Sequence, residues 1–292
     1  MIAEVDSSTR CEATGTGPSR ATIVIPCYNE EKRFDVAAVD SYLSANVGID
    51  IVLVNDGSRD GTFALLETLR SRWAKRVILV DQQPNQGKGE AVRVGILRAI
   101  ASGATYVGYF DADLSTPLDA VTEFIRVLDK NPEIDIVLGA RVALLGRQIE
   151  RRPLRHYFGR VFATAASIAL ALPVYDTQCG AKLIRVGTGV RRIFDDPFES
   201  RWIFDVELLA RYLNECGSQK GLYELALQRW TDVGDSRVKM WDFVRAAVEI
   251  TSIYRKYRHS ATHAGKRRFR VLGGSVDGSN SVTERLVQRP NR

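Results

Sequence analysis

The sequence predicts an α/β fold, a mostly parallel sheet with helices on both faces, and three observations carry that expectation. Short β-rich apolar runs stand at Ala21–Pro26, Asp50–Val54, Arg76–Val80, Tyr106–Phe110 and Ile134–Gly139. Helical stretches near 31–45, 60–73, 88–101 and 117–130 separate them. The runs are near-continuously apolar, the pattern of parallel strands buried on both faces.

Ligands of open α/β sheets bind beyond the carboxyl ends of the strands, so each strand end is read in turn. The first leads into Ile25-Pro26-Cys27-Tyr28-Asn29-Glu30-Glu31. Pro26 ends the ladder, Tyr28 offers a ring to lie beside a nucleobase, and Asn29 and Glu30 supply polar contacts. An N-cap asparagine followed by acids also starts an ordinary helix, so this motif alone decides nothing. The second strand ends in Val54-Asn55-Asp56-Gly57-Ser58-Arg59-Asp60-Gly61-Thr62. Asp56 and Gly57 make a tight turn where a carboxylate can accept from a uracil or guanine N–H; a capped turn without ligand fits equally well.

The third strand is followed by Asn85-Gln86-Gly87-Lys88-Gly89-Glu90. Its glycines let backbone N–H groups approach a phosphate at a helix N-terminus, and Lys88 adds positive charge. The Gly-Lys-Ser/Thr ending of a Walker loop is absent. No G-x-G-x-x-G follows the first strand, which argues against a dehydrogenase. The fourth strand ends in Asp111-Ala112-Asp113. Two such acids repel each other unless a cation lies between them, so the pair reads as a metal clamp for a diphosphate. The plain alternative is a solvated acidic turn. A phosphatase aspartyl nucleophile looks similar, but that motif belongs on a first strand.

Beyond 140 the pattern changes. Residues 153–172 are amphipathic, with Phe158, Phe162, Ala165, Ala169 and Leu172 near one face. Further helices are expected over 199–215 and 239–257, with a short strand near Leu222–Trp230 between them. Between Arg141 and Arg160 stand Arg141, Arg147, Arg151, Arg152, Arg155 and Arg160 against the single acid Glu150. Arginine forks suit phosphate, and this cluster runs into the amphipathic helix. A phosphate dock beside an apolar surface fits an amphiphile at a membrane face. The alternative is a solvated arginine face with the apolar residues in the core or a dimer contact.

Composition sets outer bounds. Of the excess positive charge of +6, seven basic residues without an acid fall between Arg255 and Arg270. Without those seven, 34 basic residues face 35 acidic ones. A nucleic-acid-binding surface is therefore not expected, whereas a local anionic-lipid contact near the C-terminus is one reading of the basic tail. Cys11, Cys27, Cys179 and Cys216 form no metal-ligand spacing, which suggests a reduced, cytoplasmic protein. No signal peptide is read at the N-terminus. The longest apolar stretch, Val161 to Leu172, falls short of the roughly 20 residues that span a bilayer, so at most peripheral membrane association is expected. Residues 1–20 and 258–292 read as disordered.

The ordered set I-V-I-P-C-Y-N-E, V-N-D-G-S-R-D-G-T, N-Q-G-K-G-E-A-V and D-A-D resembles the family 2 glycosyltransferases with the GT-A fold, over about residues 21–257. Gly139-Ala140-Arg141, Asp176-Thr177-Gln178-Cys179-Gly180-Ala181-Lys182-Leu183 and Arg201-Trp202-Ile203-Phe204-Asp205-Val206-Glu207 resemble the dolichyl-phosphate β-glucosyltransferases within it. The resemblance implies a nucleotide-sugar half over 21–140 and an acceptor half over 141–257. It implies inverting transfer of a hexose, glucose from UDP-glucose, to a polyprenyl phosphate. GDP-mannose, a soluble acceptor and a catalytically silent sugar-nucleotide binder are the alternatives. Pro26, Tyr28, Glu30, Asp56, Lys88 and Asp111 would then bind the nucleotide sugar, and Asp111 and Asp113 would hold Mg²⁺ or Mn²⁺. Asn55 stands where many relatives carry a first aspartate, leaving Asp56 as the base contact. Arg141, Arg151, Arg152 and Arg155 would meet the acceptor phosphate. Asp176 and Asp205 would act near the sugar; Glu207, two residues further along the same helix as Asp205, points elsewhere. Trp202 is divided between sugar stacking and core. Cys179 lacks a histidine partner for nucleophilic work.

Overall fold

The computed structural model describes residues 21–150, 153–200, 203–216, 218–233 and 248–257, with only the backbone described over 153–161. Residues 1–20, Arg151, Arg152, Trp202, the first part of the helix expected over 239–257 (239–247) and the tail from 258 lie outside the described residues, as do the side chains of Arg155, Phe158 and Arg160.

A seven-stranded sheet runs in the order β3-β2-β1-β4-β7-β5-β8, built from β1 (Ala21–Cys27), β2 (Ile49–Asp56), β3 (Val77–Gln82), β4 (Tyr106–Phe110), β5 (Ile136–Ala140), β7 (Ala181–Arg185) and β8 (Leu222–Ala226). All neighbours are parallel except that β7 runs against both β4 and β5. The carboxyl ends of β1 to β5 therefore share one edge. Two short strands, β6 (Gln148–Glu150) and β9 (Arg229–Thr231), pair separately.

Period-two alternation along each strand divides the core between two faces. Ile23, Ile25, Ile51 and Leu53 pack with α1 (Val36–Ala45), α2 (Thr62–Arg72) and α4 (Ala120–Lys130). Val24, Val52 and Val54 pack with α3 (Lys88–Ala101), α6 (Thr188–Arg192) and α7 (Phe204–Cys216). The expected covering of both faces is present. Ala166 of α5 (Pro153–Leu170) joins Val206 and Ala210 of α7 and Ile250 and Ile253 of helical residues 248–257 in a third cluster, with Phe162 and Ala169 packed against it. Leu172 is buried in the second cluster. Phe162, Ala169 and Leu172 of the expected apolar face are thus packed into the core, whereas Ala165 is exposed.

Two expectations need correction. Leu222–Trp230 is two strands, β8 and β9, and not one. Strand β7 had no counterpart in the sequence reading, because Lys182 and Arg185 disguise a segment in which every residue is buried. Arg185 fits there by stacking on Tyr106 and donating to the carbonyls of Leu128, Asn131 and Ile134. No helix among the described residues is long and apolar enough to cross a membrane.

Candidate active site

Pro26 lies inside β1, one side of which stays paired to β2 through Cys27, while pairing to β4 ends at Val24. The proline therefore ends only one ladder. The turn after it is stitched to the β2–α2 loop. Asn29 takes φ +52°, its N–H donates to Ser58 Oγ at 3.0 Å, and its Oδ1 accepts from the Arg59 N–H at 2.8 Å. The Glu30 N–H donates to Thr62 Oγ1 at 2.7 Å, and the Glu30 carboxylate is bridged by Arg33 at 2.5 Å. Half-buried Tyr28 sits at the head of this loop. Glu30 serves this internal network, which counts against the nucleotide contact expected of it.

Asp56 is 2% exposed, and its carboxylate accepts from the N–H groups of Gln86 (2.7 Å) and Gly87 (2.9 Å) and from Asn85 Nδ2 (2.8 Å). Three of its roughly four acceptor positions are occupied by that loop. Asp56, expected to contact the base, also shapes the 85–87 turn. Asn55 holds Asp81 at 2.6 Å on the adjacent strand. Gly87 caps α3 at φ +98°, a backbone that favours glycine, and Lys88 begins the helix.

Lys88 Nζ lies 2.5 Å from Asp111 Oδ1. Burial opposes its charge, but Asp111 and Asp205 outweigh burial and raise its pKa. Asp111 and Asp113 flank a sharp turn in which Leu114 takes φ +48° and donates to the Asp111 carbonyl, while Asp113 Oδ1 accepts from the Ser115 N–H at 3.0 Å. Gly180 packs against Asp111 from β7's leading turn, and its carbonyl accepts the Asp111 N–H at 3.0 Å. Hard carboxylate oxygens suit Mg²⁺ or Mn²⁺. Asp111 and Asp113 offer two such carboxylates, and no group of three or more His, Cys, Asp or Glu residues that could hold a metal occurs among the described residues.

Behind this pair, Asp205 begins α7 and is 3% exposed. Its Oδ1 takes hydrogen bonds from Tyr109 Oη and from Nζ of the wholly buried Lys182. Lys182 also donates to the carbonyls of Cys179 (2.8 Å) and Thr177 (3.1 Å), so one ammonium ties α7 to the loop bearing Gly180. Burial and then Asp205 push the Tyr109 phenol well above its usual pKa, keeping it a donor. Sequence reasoning missed both Lys182 and Tyr109, although Lys182 stands in the quoted D-T-Q-C-G-A-K-L motif. Glu207 is turned away as expected, accepting from the N–H groups of Glu199 and Ser200 and from Arg211. Burial raises the Cys179 thiol to about 11, which leaves no thiolate nucleophile at neutral pH.

Asp176 and Arg141 meet each other. The guanidinium grips the carboxylate through Nε at 2.7 Å and Nη2 at 2.8 Å and lies over the Trp230 ring. Burial opposes the Arg141 charge, but Asp176 overrides it and raises the pKa. Glu224 of β8 holds the N–H groups of Tyr175 and Asp176 at 2.8–2.9 Å. Arg141, expected at the acceptor phosphate, and Asp176, expected near the sugar, form a mutually neutralising pair. A separate cavity of about 450 Å³, bordered by Arg192, Glu199, Arg211 and Lys256, shares no residue with this edge.

The sequence model of Glycosyl transferase family 2 matches residues 22–188. The chain belongs to this family. It is therefore a glycosyltransferase with the GT-A fold. It is 32% identical over 244 residues to a dolichyl-phosphate beta-glucosyltransferase of Trichomonas vaginalis, covering 80% of this chain and 70% of that protein. The dolichyl-phosphate beta-glucosyltransferase of Drosophila melanogaster is 29% identical over 252 residues, covering 81% and 74%. Among solved structures, glucosyl-3-phosphoglycerate synthase from Mycobacterium tuberculosis with Mn²⁺, UDP and glucosyl-3-phosphoglycerate superposes with TM-score 0.55 at 17% identity, over 80% of this chain and 78% of that one. At that identity the likeness speaks for the fold.

Proposed function

We propose that this family 2 glycosyltransferase moves glucose from UDP-glucose to a polyprenyl phosphate, with inversion and with Mg²⁺ or Mn²⁺. The observation that carries this reading is the joining of Lys88, Asp111 and Asp113 at the sheet edge to the buried Asp205–Lys182–Tyr109 set. The relatives' glucosyltransferase names support the sugar and the lipid acceptor.

In this reading residues 21–140 handle the nucleotide sugar and 141–257 the acceptor. Pro26 and Tyr28 border the base, and Asp56 acts on the nucleotide through the 85–87 turn. Asp111 and Asp113 hold the divalent ion, which when bound supplies charge neutralisation for the departing diphosphate. Lys88 adds a fixed cation beside the same group and is pre-positioned by Asp111. Asp205, held from behind by Lys182 and Tyr109, faces the transferred sugar. A phosphate-monoester acceptor is already largely anionic near neutral pH, its second pKa being about 6. It needs positioning more than deprotonation, and Arg151, Arg152 and Arg155 suit that work.

The test is incubation of the purified chain with labelled UDP-glucose and polyprenyl phosphate in detergent. A labelled product extractable into organic solvent, lost with EDTA and restored by Mn²⁺, is expected. Transfer only from GDP-mannose would change the donor, and label only in water-soluble products would remove the lipid acceptor. No transfer from any sugar nucleotide would overturn the reading.

A further inference from the structure

The segment between β5 and β6, residues 141–147, leaves the sheet and returns to it from two pinned ends. At its base the Ala140 carbonyl accepts from the Leu227 N–H at 3.0 Å, and the Gln148 N–H donates to the Gln228 carbonyl at 2.9 Å. At its tip Leu144 to Arg147 form a turn, with the Arg147 N–H donating to the Leu144 carbonyl at 3.0 Å. Gly146 takes φ +83°, as the third residue of a type II turn must. This places Leu145 at the outer corner, 105% exposed, with Leu144 beside it at 50%. A turn of this type does not call for leucine at either place, and adjacent leucines held into water oppose the hydrophobic effect.

We propose that the Leu144–Leu145 tip is a finger that inserts into an anionic lipid surface and seats the substrate edge of the sheet against the bilayer. Charge selects this occupant. In the sequence the tip is followed by Arg147, Arg151, Arg152, Arg155 and Arg160 against the single acid Glu150, a run of charge that favours lipid phosphates. Position agrees as well. The finger springs from the carboxyl end of β5, which runs parallel to β4 and shares its edge with Asp111. Insertion would bring a membrane-borne phosphate to the side of the fold where Lys88 and Asp205 stand.

The inference deepens the reading of a lipid acceptor, and its test needs neither donor nor acceptor. The full chain is mixed with phosphatidylcholine vesicles, with and without phosphatidylserine, and sedimented. Wild type is expected to sediment with the anionic vesicles. The double variant Leu144→Ser/Leu145→Ser is expected to bind at least about tenfold more weakly, since burying one leucine is itself worth about a factor of ten. Its thermal unfolding should match that of wild type, which shows that it folds. The substitution Leu145→Trp provides a probe without loss of apolar character. Its added emission, taken as the difference from wild type, should shift to the blue on anionic vesicles. Equal binding by the double variant, no blue shift in the Leu145→Trp difference spectrum, or reversible self-association of wild type that the serines abolish would each overturn the proposal. Vesicle binding by the finger without transfer to any polyprenyl phosphate would instead remove the lipid-acceptor reading and leave the finger standing.

Discussion

Gly180 lies directly against the Asp111 carboxylate: a Cβ at position 180 would stand 1.9 Å from Asp111 Oδ2 and 2.4 Å from Oδ1. Strand β7 therefore carries, in its leading turn, the surface on which the first acid of Asp111-Ala112-Asp113 rests. Gly180→Ala must displace that carboxylate by more than an ångström. A misplacement of that size costs on the order of 10²-fold in rate. The expected outcome is a loss of that order in kcat, with a weakened Mn²⁺ response and a small change in Tm. Initial rates across a Mn²⁺ titration, beside thermal unfolding, check it.

Lys182→Met leaves the Asp205 carboxylate buried without its cation. Breaking a buried pair from one side costs about 3–5 kcal/mol, whereas replacing both members by apolar groups is often close to neutral. Urea unfolding is therefore expected to show a large destabilisation for Lys182→Met. Much of it should return in Lys182→Met/Asp205→Leu, while glycosyl transfer stays abolished in both. Equal stability of wild type and Lys182→Met would contradict the pairing.

Asp56→Asn keeps the shape of the side chain but replaces one acceptor oxygen by an NH₂ group. That group would confront the N–H of Gln86 or Gly87, leaving a donor unpaired at about 1–3 kcal/mol. The 85–87 turn should loosen and carry Lys88 with it. Titration with UDP, followed by calorimetry, is expected to show affinity reduced by about tenfold or more.

Alkaline stability follows from the buried thiols. Cys179 is raised from 9.0 to about 11 by burial, with Asp176 adding to the rise and Arg141 opposing it. The folded state holds this proton more tightly than the unfolded one. The associated stability is complete below pH 9 and is lost as pH climbs toward 11, by about 1.4 kcal/mol per unit. Burial raises Cys27 in the same direction. Denaturant midpoints should fall steeply between about pH 8.5 and about pH 10.5 for wild type, and less so for Cys27→Ala/Cys179→Ala.

Much of the fold was legible because its signals are local. Apolar runs such as Ile23–Ile25 and Ile51–Val54 read as buried strands from composition alone, and the turns following them carried the family's motifs in order. Lys182 and Arg185 were opaque for a definite reason. A charge inside a buried strand is tolerable only when carbonyls and a counter-charge surround it, and those come from Cys179, Thr177 and Asp205 in one case and from Leu128, Asn131 and Ile134 in the other.

Local pattern thus determined the doubly covered sheet, the edge at which chemistry is placed and the Asp111–Asp113 pair, because backbone preference and hydrophobic period act over a few neighbouring residues. The tertiary structure decided which charges remain available to a ligand. Asp176 is paired with Arg141, 35 residues away, and Asp56 with the turn at 85–87, while Asp205 is engaged by Lys182, 23 residues away, through Oδ1 only. The role of a buried carboxylate depends on the cation or N–H placed within about 3 Å of it, and folding alone brings those partners together.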